Sequence, residues 1–220
     1  MKSFKEITRA MLILTSDCNL RCPYCYEWKK KGVITKEIIK ATIDQLAQNA
    51  VAMHSNSFGF TLFGGEPTLE LDLCKYAINY IAEVGKQYNL STRCGMTTNG
   101  MIFNDEMKEL LLLMNEKLDS CGVMFSYDGP PDIETMNRPG VNENFNSGKV
   151  MQENISKLKQ FIKETPNLKL RFSVHSMISK KTLPHYFKIL KYFSDMRLPL
   201  RVNFLTEEAW DDNDIEILNE

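Results

Sequence analysis

Apolar runs of strand length alternate with helically spaced apolar stripes along the whole chain. Met11–Thr15 is a short apolar run that reads as a first buried strand. Thr35 then offers an N-cap to a helix whose apolar positions are Ile39, Ile43, Leu46 and Ala50. Phe58–Phe63 returns to strand character and ends in Gly64-Gly65. Leu69, Leu73, Tyr76, Tyr80 and Val84 mark a second helix, with Gly85 as its stop. A third strand around Thr92–Thr97 leads to the turn Thr98-Asn99-Gly100, and Asn104 caps a third helix carrying Met107, Leu110, Leu111 and Met114. Gly122–Tyr127 is a fourth strand, followed by a long loop from Gly129 to Ser147 rich in Pro, Gly and Asn. Val150, Ile155, Leu158 and Ile162 supply a fourth helix. Leu168–Met177 is a fifth strand, Pro184–Asp195 a helix and Leu200–Leu205 a sixth strand; Asp214–Leu218 begins a further helix.

Strand then helix, repeated, predicts a parallel sheet with helices outside it. Six such strands suit an α/β architecture of the partial (β/α)6 barrel type, with a flat doubly wound sheet as the alternative. The sequence shows no repeat, low-complexity tract or interdomain linker.

The strongest chemical signal is Cys18-Asn19-Leu20-Arg21-Cys22-Pro23-Tyr24-Cys25, just after the first strand. Clustered thiolates hold soft metal centres, either zinc or an iron–sulfur cluster. Structural zinc takes four ligands, and no fourth cysteine or histidine lies near, His54 being the first histidine in the chain. Three thiolates on a cubane [4Fe–4S] cluster would leave one iron open. Three further motifs follow later strands: Gly64-Gly65-Glu66-Pro67 the second, Thr97-Thr98-Asn99-Gly100 the third and Ser126-Tyr127-Asp128-Gly129-Pro130 the fourth. All four thus fall at the carboxyl edge of the predicted sheet, where barrels and open α/β sheets place their active sites.

In this order the four motifs resemble the radical S-adenosylmethionine (radical SAM) superfamily, in particular the branch that modifies peptides and proteins, which includes sulfatase-maturing enzymes and peptide maturases. The likeness runs from about Met11 to Leu205. It implies the partial-barrel radical SAM core and two cofactors, a [4Fe–4S] cluster and S-adenosylmethionine (SAM). Cys18, Cys22 and Cys25 would ligate the cluster. Its open iron would take the methionine end of SAM, whose reductive cleavage yields a 5′-deoxyadenosyl radical. Tyr24 stands where the family places an aromatic beside adenine. Gly64 and Gly65 would let backbone approach a ligand, and the carbonyls of that turn with the Glu66 carboxylate suit an ammonium group. Arg138 matches an arginine that grips the SAM carboxylate. Ser126 is a ribose partner, Asp128 a ribose or substrate partner, and Asn99 either a SAM contact or the holder of its turn. Where the family often has His-Asp before this arginine, Glu134 and Thr135 stand here. His175 and Asn203 point to the same edge but fall outside the matched pattern.

The implied partners are a peptide or protein substrate and an electron donor of the reductase, flavodoxin or ferredoxin type. Two other readings remain. Glycyl-radical activating enzymes share the cysteines and Gly-Gly-Glu, but usually show Asp where this chain has Thr97 before Thr-Asn-Gly. An iron–sulfur electron carrier or sensor would normally have four protein ligands.

Composition narrows the setting. At 220 residues and 43% apolar content the chain has material for a sizeable core. A net charge of −1 argues against a nucleic-acid or anionic-membrane surface, and Lys29-Lys30-Lys31 reads as a solvated loop. No signal peptide or membrane span is apparent. Six cysteines without a secretory signal read as reduced thiols in a cytoplasmic protein, with Cys74, Cys94 and Cys121 as small core residues. The chain ends at Glu220 within the helix expected after strand six. Residues 1–220 are therefore expected to be one core domain, cut within that helix and completed by further chain or a partner.

Overall fold

The computed structural model describes residues 6–27, 32–142, 144–206 and 208–218; the Lys29-Lys30-Lys31 run lies outside them. Six parallel strands form one sheet: β1 (Arg9–Thr15), β2 (Ser57–Gly64), β3 (Ser91–Thr98), β4 (Ser120–Ser126), β5 (Arg171–Ile178) and β6 (Leu200–Phe204). Order in the sheet is order in the chain. The helices between and after them are α1 (Lys36–Ala52), α2 (Leu71–Tyr88), α3 (Asp105–Lys117), α4 (Pro131–Asn137), α5 (Ser147–Glu164), α6 (Tyr186–Met196) and α7 (Asp212–Ile217).

Burial alternates along the strands, and this decides between the two sheet architectures. Leu12, Leu14, Phe60, Leu62, Cys94, Met96, Val123, Phe125 and Val174 are buried in the core with the helices. The alternate positions face away from that core, and on β1 they stay open, Met11 at 55% and Ile13 at 46% exposure. A doubly wound sheet buries both faces and reads as continuous apolar runs. Here one face is covered and the other lines a lumen, so the sheet is a partial barrel.

Two of the expected caps are in place. Thr35 Oγ1 accepts from Ile38 N at 3.4 Å and Asn104 Oδ1 from Met107 N at 3.0 Å. Cys74, Cys94 and Cys121 are buried as expected.

The second helix departs from its prediction twice. It runs through Gly85 to Tyr88 and is closed by Asn89 in the left-handed region at φ 52°. Gly85 is instead a close-packing position, since a Cβ there would lie 2.3 Å from Thr92 Cγ2. Its buried stripe is Cys74, Ala77, Ile78, Ile81 and Val84, with Leu73, Tyr76 and Tyr80 only half-buried beside it and Leu69 exposed. Tyr80 keeps its polar end among polar groups: its Oη donates to Asp44 Oδ1 at 2.7 Å. The segment read as a long loop after β4 contains α4, started by Pro131 at its first turn. Strand β5 begins at Arg171, three residues later than predicted.

Candidate active site at the carboxyl edge of the sheet

The cysteine loop leaves β1 and is fixed by its own backbone and by the segment after α4. Cys25 N donates to Cys22 O at 3.1 Å, and Leu20 N to Cys18 Sγ at 3.4 Å. Arg21 N donates to Pro139 O at 2.7 Å, while its Nη1 bonds Cys18 O at 2.6 Å and Leu20 O at 2.8 Å. Side chain and backbone of one arginine thus brace the loop from both sides.

The glycine turn after β2 docks beneath this loop. Gly65 N donates to Thr15 O at 2.8 Å and Glu66 N to Asp17 O at 2.9 Å. A Cβ on Gly64 would lie 2.3 Å from Thr15 O, and one on Gly65 2.1 Å from Asp17 O. The close approach that the glycines allow is therefore to the cysteine loop's own backbone. Glu66 is fully buried, and its carboxylate accepts from Thr68 N (3.0 Å), Thr68 Oγ1 (2.7 Å), Thr98 Oγ1 (2.7 Å) and Asn99 N (2.6 Å). Burial raises its pKa against the pull of these donors. That carboxylate, expected to meet an ammonium group, is turned to the third motif.

Asn99 closes the circuit. Its Oδ1 accepts from Met101 N at 3.0 Å, holding the turn, and its Nδ2 donates to Asn19 Oδ1 at 2.7 Å and approaches Cys18 Sγ at 3.6 Å. Of the two roles weighed for this residue, the turn bond is in place, and the amide nitrogen is bonded to the cysteine loop.

The fourth motif reaches the cysteine loop through Tyr24. Its hydroxyl donates to Asp128 Oδ2 and accepts from Arg138 Nη1 at 2.7 Å. Asp128 is fully buried and also accepts from Asn137 Nδ2 (2.9 Å) and Met177 N (2.9 Å). Glu134 Oε2 accepts from Asp128 N at 2.7 Å; its other oxygen faces Arg138 Nε at 3.4 Å, and both of these buried atoms lack a hydrogen bond. Burial pushes the Glu134 carboxyl up to about 8, with Arg138 pulling it down and Asp128 adding to the rise. Around Arg138, burial works against the charge, yet Tyr24, Cys22, Asp128 and Glu134 hold it cationic. Sequence reasoning gave no role to Asn137 or to Thr98 of the third motif, although each adjoins a residue it singled out.

These groups surround one cavity of about 410 Å³. Cys18, Cys22, Cys25, Tyr24, Gly64, Gly65, Glu66, Asn99, Ser126 and Arg138 all line it; Asp128 does not. His175, Asn203, Met124, Met177 and Phe204 complete the wall. Burial lowers the His175 pKa, an Asn203 hydrogen bond opposing it, so the imidazole is neutral at pH 7. Among the described residues no three His, Cys, Asp or Glu side chains converge as a single ion would require. Three thiols on one cavity wall suit instead a multi-iron cluster, whose irons each take one cysteine. Arg138 lines the same cavity, its Nε ion-paired with Glu134 Oε1 at 3.4 Å without a hydrogen bond.

The radical SAM superfamily signature matches residues 12–164. The chain belongs to this superfamily. Its members use a [4Fe–4S] cluster and SAM, and the cysteine loop and cavity fit that pair. The cysteine-type anaerobic sulfatase-maturating enzyme of Clostridium novyi (strain NT) is 26% identical over 202 residues, covering 86% of this chain and 48% of that protein. The GTP 3′,8-cyclase of Clostridium perfringens (strain SM101 / Type A) is 31% identical over 109 residues, covering 48% of this chain and 31% of that enzyme. Among solved structures, native anSMEcpe with bound AdoMet superposes with a TM-score of 0.75 at 20% identity, over 94% of this chain and 53% of that one. Streptococcus suis SuiB bound to S-adenosylmethionine gives 0.64 at 14% identity, over 98% and 46%. These likenesses establish the fold, and the chain spans about half the length of the sulfatase-maturating relatives it matches.

Proposed function

We propose that residues 1–220 act as one SAM-binding core that cleaves SAM reductively at a [4Fe–4S] cluster in order to modify a peptide or protein side chain. The observation that carries the reading is convergence. Three thiols, a glycine turn, the Asn99 amide, a buried arginine and the Ser126 hydroxyl, from four strand ends, meet on one cavity. Cys18, Cys22 and Cys25 would hold the cluster, which when bound supplies the electron that breaks SAM into methionine and a 5′-deoxyadenosyl radical.

The chain's own residues would bind, orient and shield. Arg138 is held charged and directed to the cavity, where its guanidinium suits the SAM carboxylate. Carbonyls of the Gly64-Gly65 turn remain for the ammonium group, because the Glu66 carboxylate is already bonded by Thr68, Thr98 and Asn99. Ser126 offers a hydroxyl to the ribose. Tyr24 presents its ring to the cavity while its hydroxyl is fixed by Asp128 and Arg138. Met124, Met177 and Phe204 exclude water from the remaining wall. Asp128 acts from behind the lining by positioning Tyr24.

The peptide substrate class draws support from the neighbours: anSMEcpe has been solved with the Cp18Cys peptide and SuiB with the precursor peptide SuiA. A cytoplasmic setting and a flavodoxin-, ferredoxin- or reductase-type electron donor belong to the same proposal. Among the described residues no helix is long and apolar enough to cross a membrane. The test is anaerobic reconstitution with iron and sulfide, then incubation with SAM and reductant. Deoxyadenosine and methionine in equal amounts are expected. A protein that takes up stoichiometric zinc and no cluster would falsify the proposal.

A further inference from the structure

The strands carry no Asp or Glu at all, yet they carry Arg9, Arg93, Arg171 and Arg201. In a chain with net charge −1 this is segregation of one sign onto the sheet. Arg9, Arg93 and Arg171 gather at the amino-terminal end of the lumen, opposite the cysteine loop, around a second cavity of about 240 Å³.

Register explains the gathering. Arg9 is level with Gly59, and Gly59 with Arg93, so two arginines flank a position that has no side chain. Arg171 is level with Gly122 and reaches down to the level of Arg93, its Nη2 donating to Ser120 Oγ at 3.0 Å. Gly59 is obligatory: a Cβ there would lie 2.2 Å from Arg93 O. Glycines thus draw the strands together while leaving the space between the guanidiniums open.

Clustered like charges repel, and proteins normally intersperse them with counter-charges. Elsewhere this chain does so, as in Lys40–Asp44, Lys75–Glu109 and Lys188–Asp132. Among the described residues none of Arg9, Arg93 and Arg171 has an ion-pair partner. The carboxylate closest in sequence to the β4 entrance, Asp119, is bound to Thr92 N (2.8 Å) and Oγ1 (3.0 Å), and Thr92 lies on the helix-covered face.

We propose that this end of the lumen is a binding site for a small phosphate-bearing polyanion, separate from the SAM cavity. Three planar forks around a space of this size match the oxygens of a phosphate or diphosphate group, which guanidinium binds in bidentate fashion. The site lies at the opposite end of the strands from the thiols, so it does not depend on cluster chemistry.

The probe is inorganic pyrophosphate, titrated calorimetrically into the full chain at ionic strength held constant with potassium chloride. Saturable binding of one pyrophosphate per chain is expected. Arg93→Gln and Arg171→Gln should each weaken it about tenfold, the scale of one lost charge-assisted bond. Lys191→Gln, on the solvent face of α6, should leave it unchanged. Circular dichroism identifies any variant that fails to fold, and Arg93→Lys, which keeps the charge and loses the fork, gives an independent reading with an intermediate affinity expected. Absence of saturable binding, an equal loss in Lys191→Gln, or tighter binding of citrate or hexaglutamate than of pyrophosphate would each overturn the assignment.

Discussion

Tyr24 and Arg138, 114 residues apart in the chain, are joined by a 2.7 Å hydrogen bond from guanidinium Nη1 to phenol oxygen. The same phenol donates to Asp128, so one hydroxyl links the cysteine loop to the fourth motif and to the arginine after α4. Burial is the largest influence on Tyr24 and pushes its pKa well above the ordinary value, which keeps it a donor at any physiological pH.

Tyr24→Phe keeps the ring and removes both bonds. Since hydrogen bonds to charged groups contribute about 1.5–3 kcal/mol each, loss of both should cost the variant about 3–6 kcal/mol in urea unfolding. Its SAM affinity should fall as well, because Arg138 is no longer held. A Tyr24→Phe protein as stable as wild type would show that the link is unimportant.

Arg138→Ala should weaken SAM binding about tenfold to a hundredfold in equilibrium dialysis, by the same scale for charged hydrogen bonds. It also leaves Glu134 and Asp128 without their buried cation, so stability is to be measured alongside. A folded variant with unchanged affinity would remove Arg138 from the site.

Cys18→Ala, Cys22→Ala and Cys25→Ala should each prevent assembly of a cluster of about four iron and four sulfide per chain. Cys74→Ala, Cys94→Ala and Cys121→Ala should retain it. Iron and sulfide analysis after anaerobic reconstitution separates the two groups. Cluster loss in any of the second three, with the fold intact, would break the assignment.

Glu134 gives a pH signature. Its folded pKa, about 8, lies above the unfolded carboxylate value. A carboxyl raised in this way favours the folded state most below its unfolded pKa, and that contribution is lost as pH rises through about 8. Thermal stability should therefore decline between about pH 5 and pH 8 more steeply in the wild type than in Glu134→Gln, whose amide oxygen still accepts from Asp128 N. Parallel profiles would show that Glu134 does not titrate in this range.

Gly85→Ala should reverse the usual sign for a helix interior. Alanine in place of glycine ordinarily stabilises a helix by about 0.8–1 kcal/mol. Here the new Cβ would meet Thr92 Cγ2 at 2.3 Å and Leu90 O at 3.0 Å, so destabilisation of about 1–3 kcal/mol is expected from overpacking. Thr92→Ser removes the methyl and keeps the hydroxyl that pairs with Asp119; it should restore part of the loss. A stabilising Gly85→Ala would contradict the packing.

The fold was legible where one physical signal acted alone. Strand and helix alternated cleanly, and the motifs all followed strands, so the carboxyl edge could be located before any coordinate. The face of α2 was misread because tyrosine is amphipathic: Tyr76 and Tyr80 are only partly buried, and the Tyr80 hydroxyl is bonded to Asp44. Gly85 was misread because glycine serves both helix ends and tight packing, and sequence does not say which. Seven residues of α4 are too few for periodicity, though Pro131 was a usable start signal. At the site, residue types were legible and directions were not. Glu66 was singled out as a motif member, but only the burial of Thr68, Thr98 and Asn99 around it shows which way its carboxylate turns.

The sheet order has a kinetic consequence. Because each strand pairs with its immediate predecessor, a chain emerging from the ribosome finds every docking edge already made, and no strand must wait for a distant one. The cysteine loop is the exception. It is synthesised before its braces, for Glu66, Asn99, Asp128, Arg138 and Pro139 arrive progressively later. The scaffold is therefore built vectorially while the thiols stay accessible, and the loop locks only when the segment after α4 has been made.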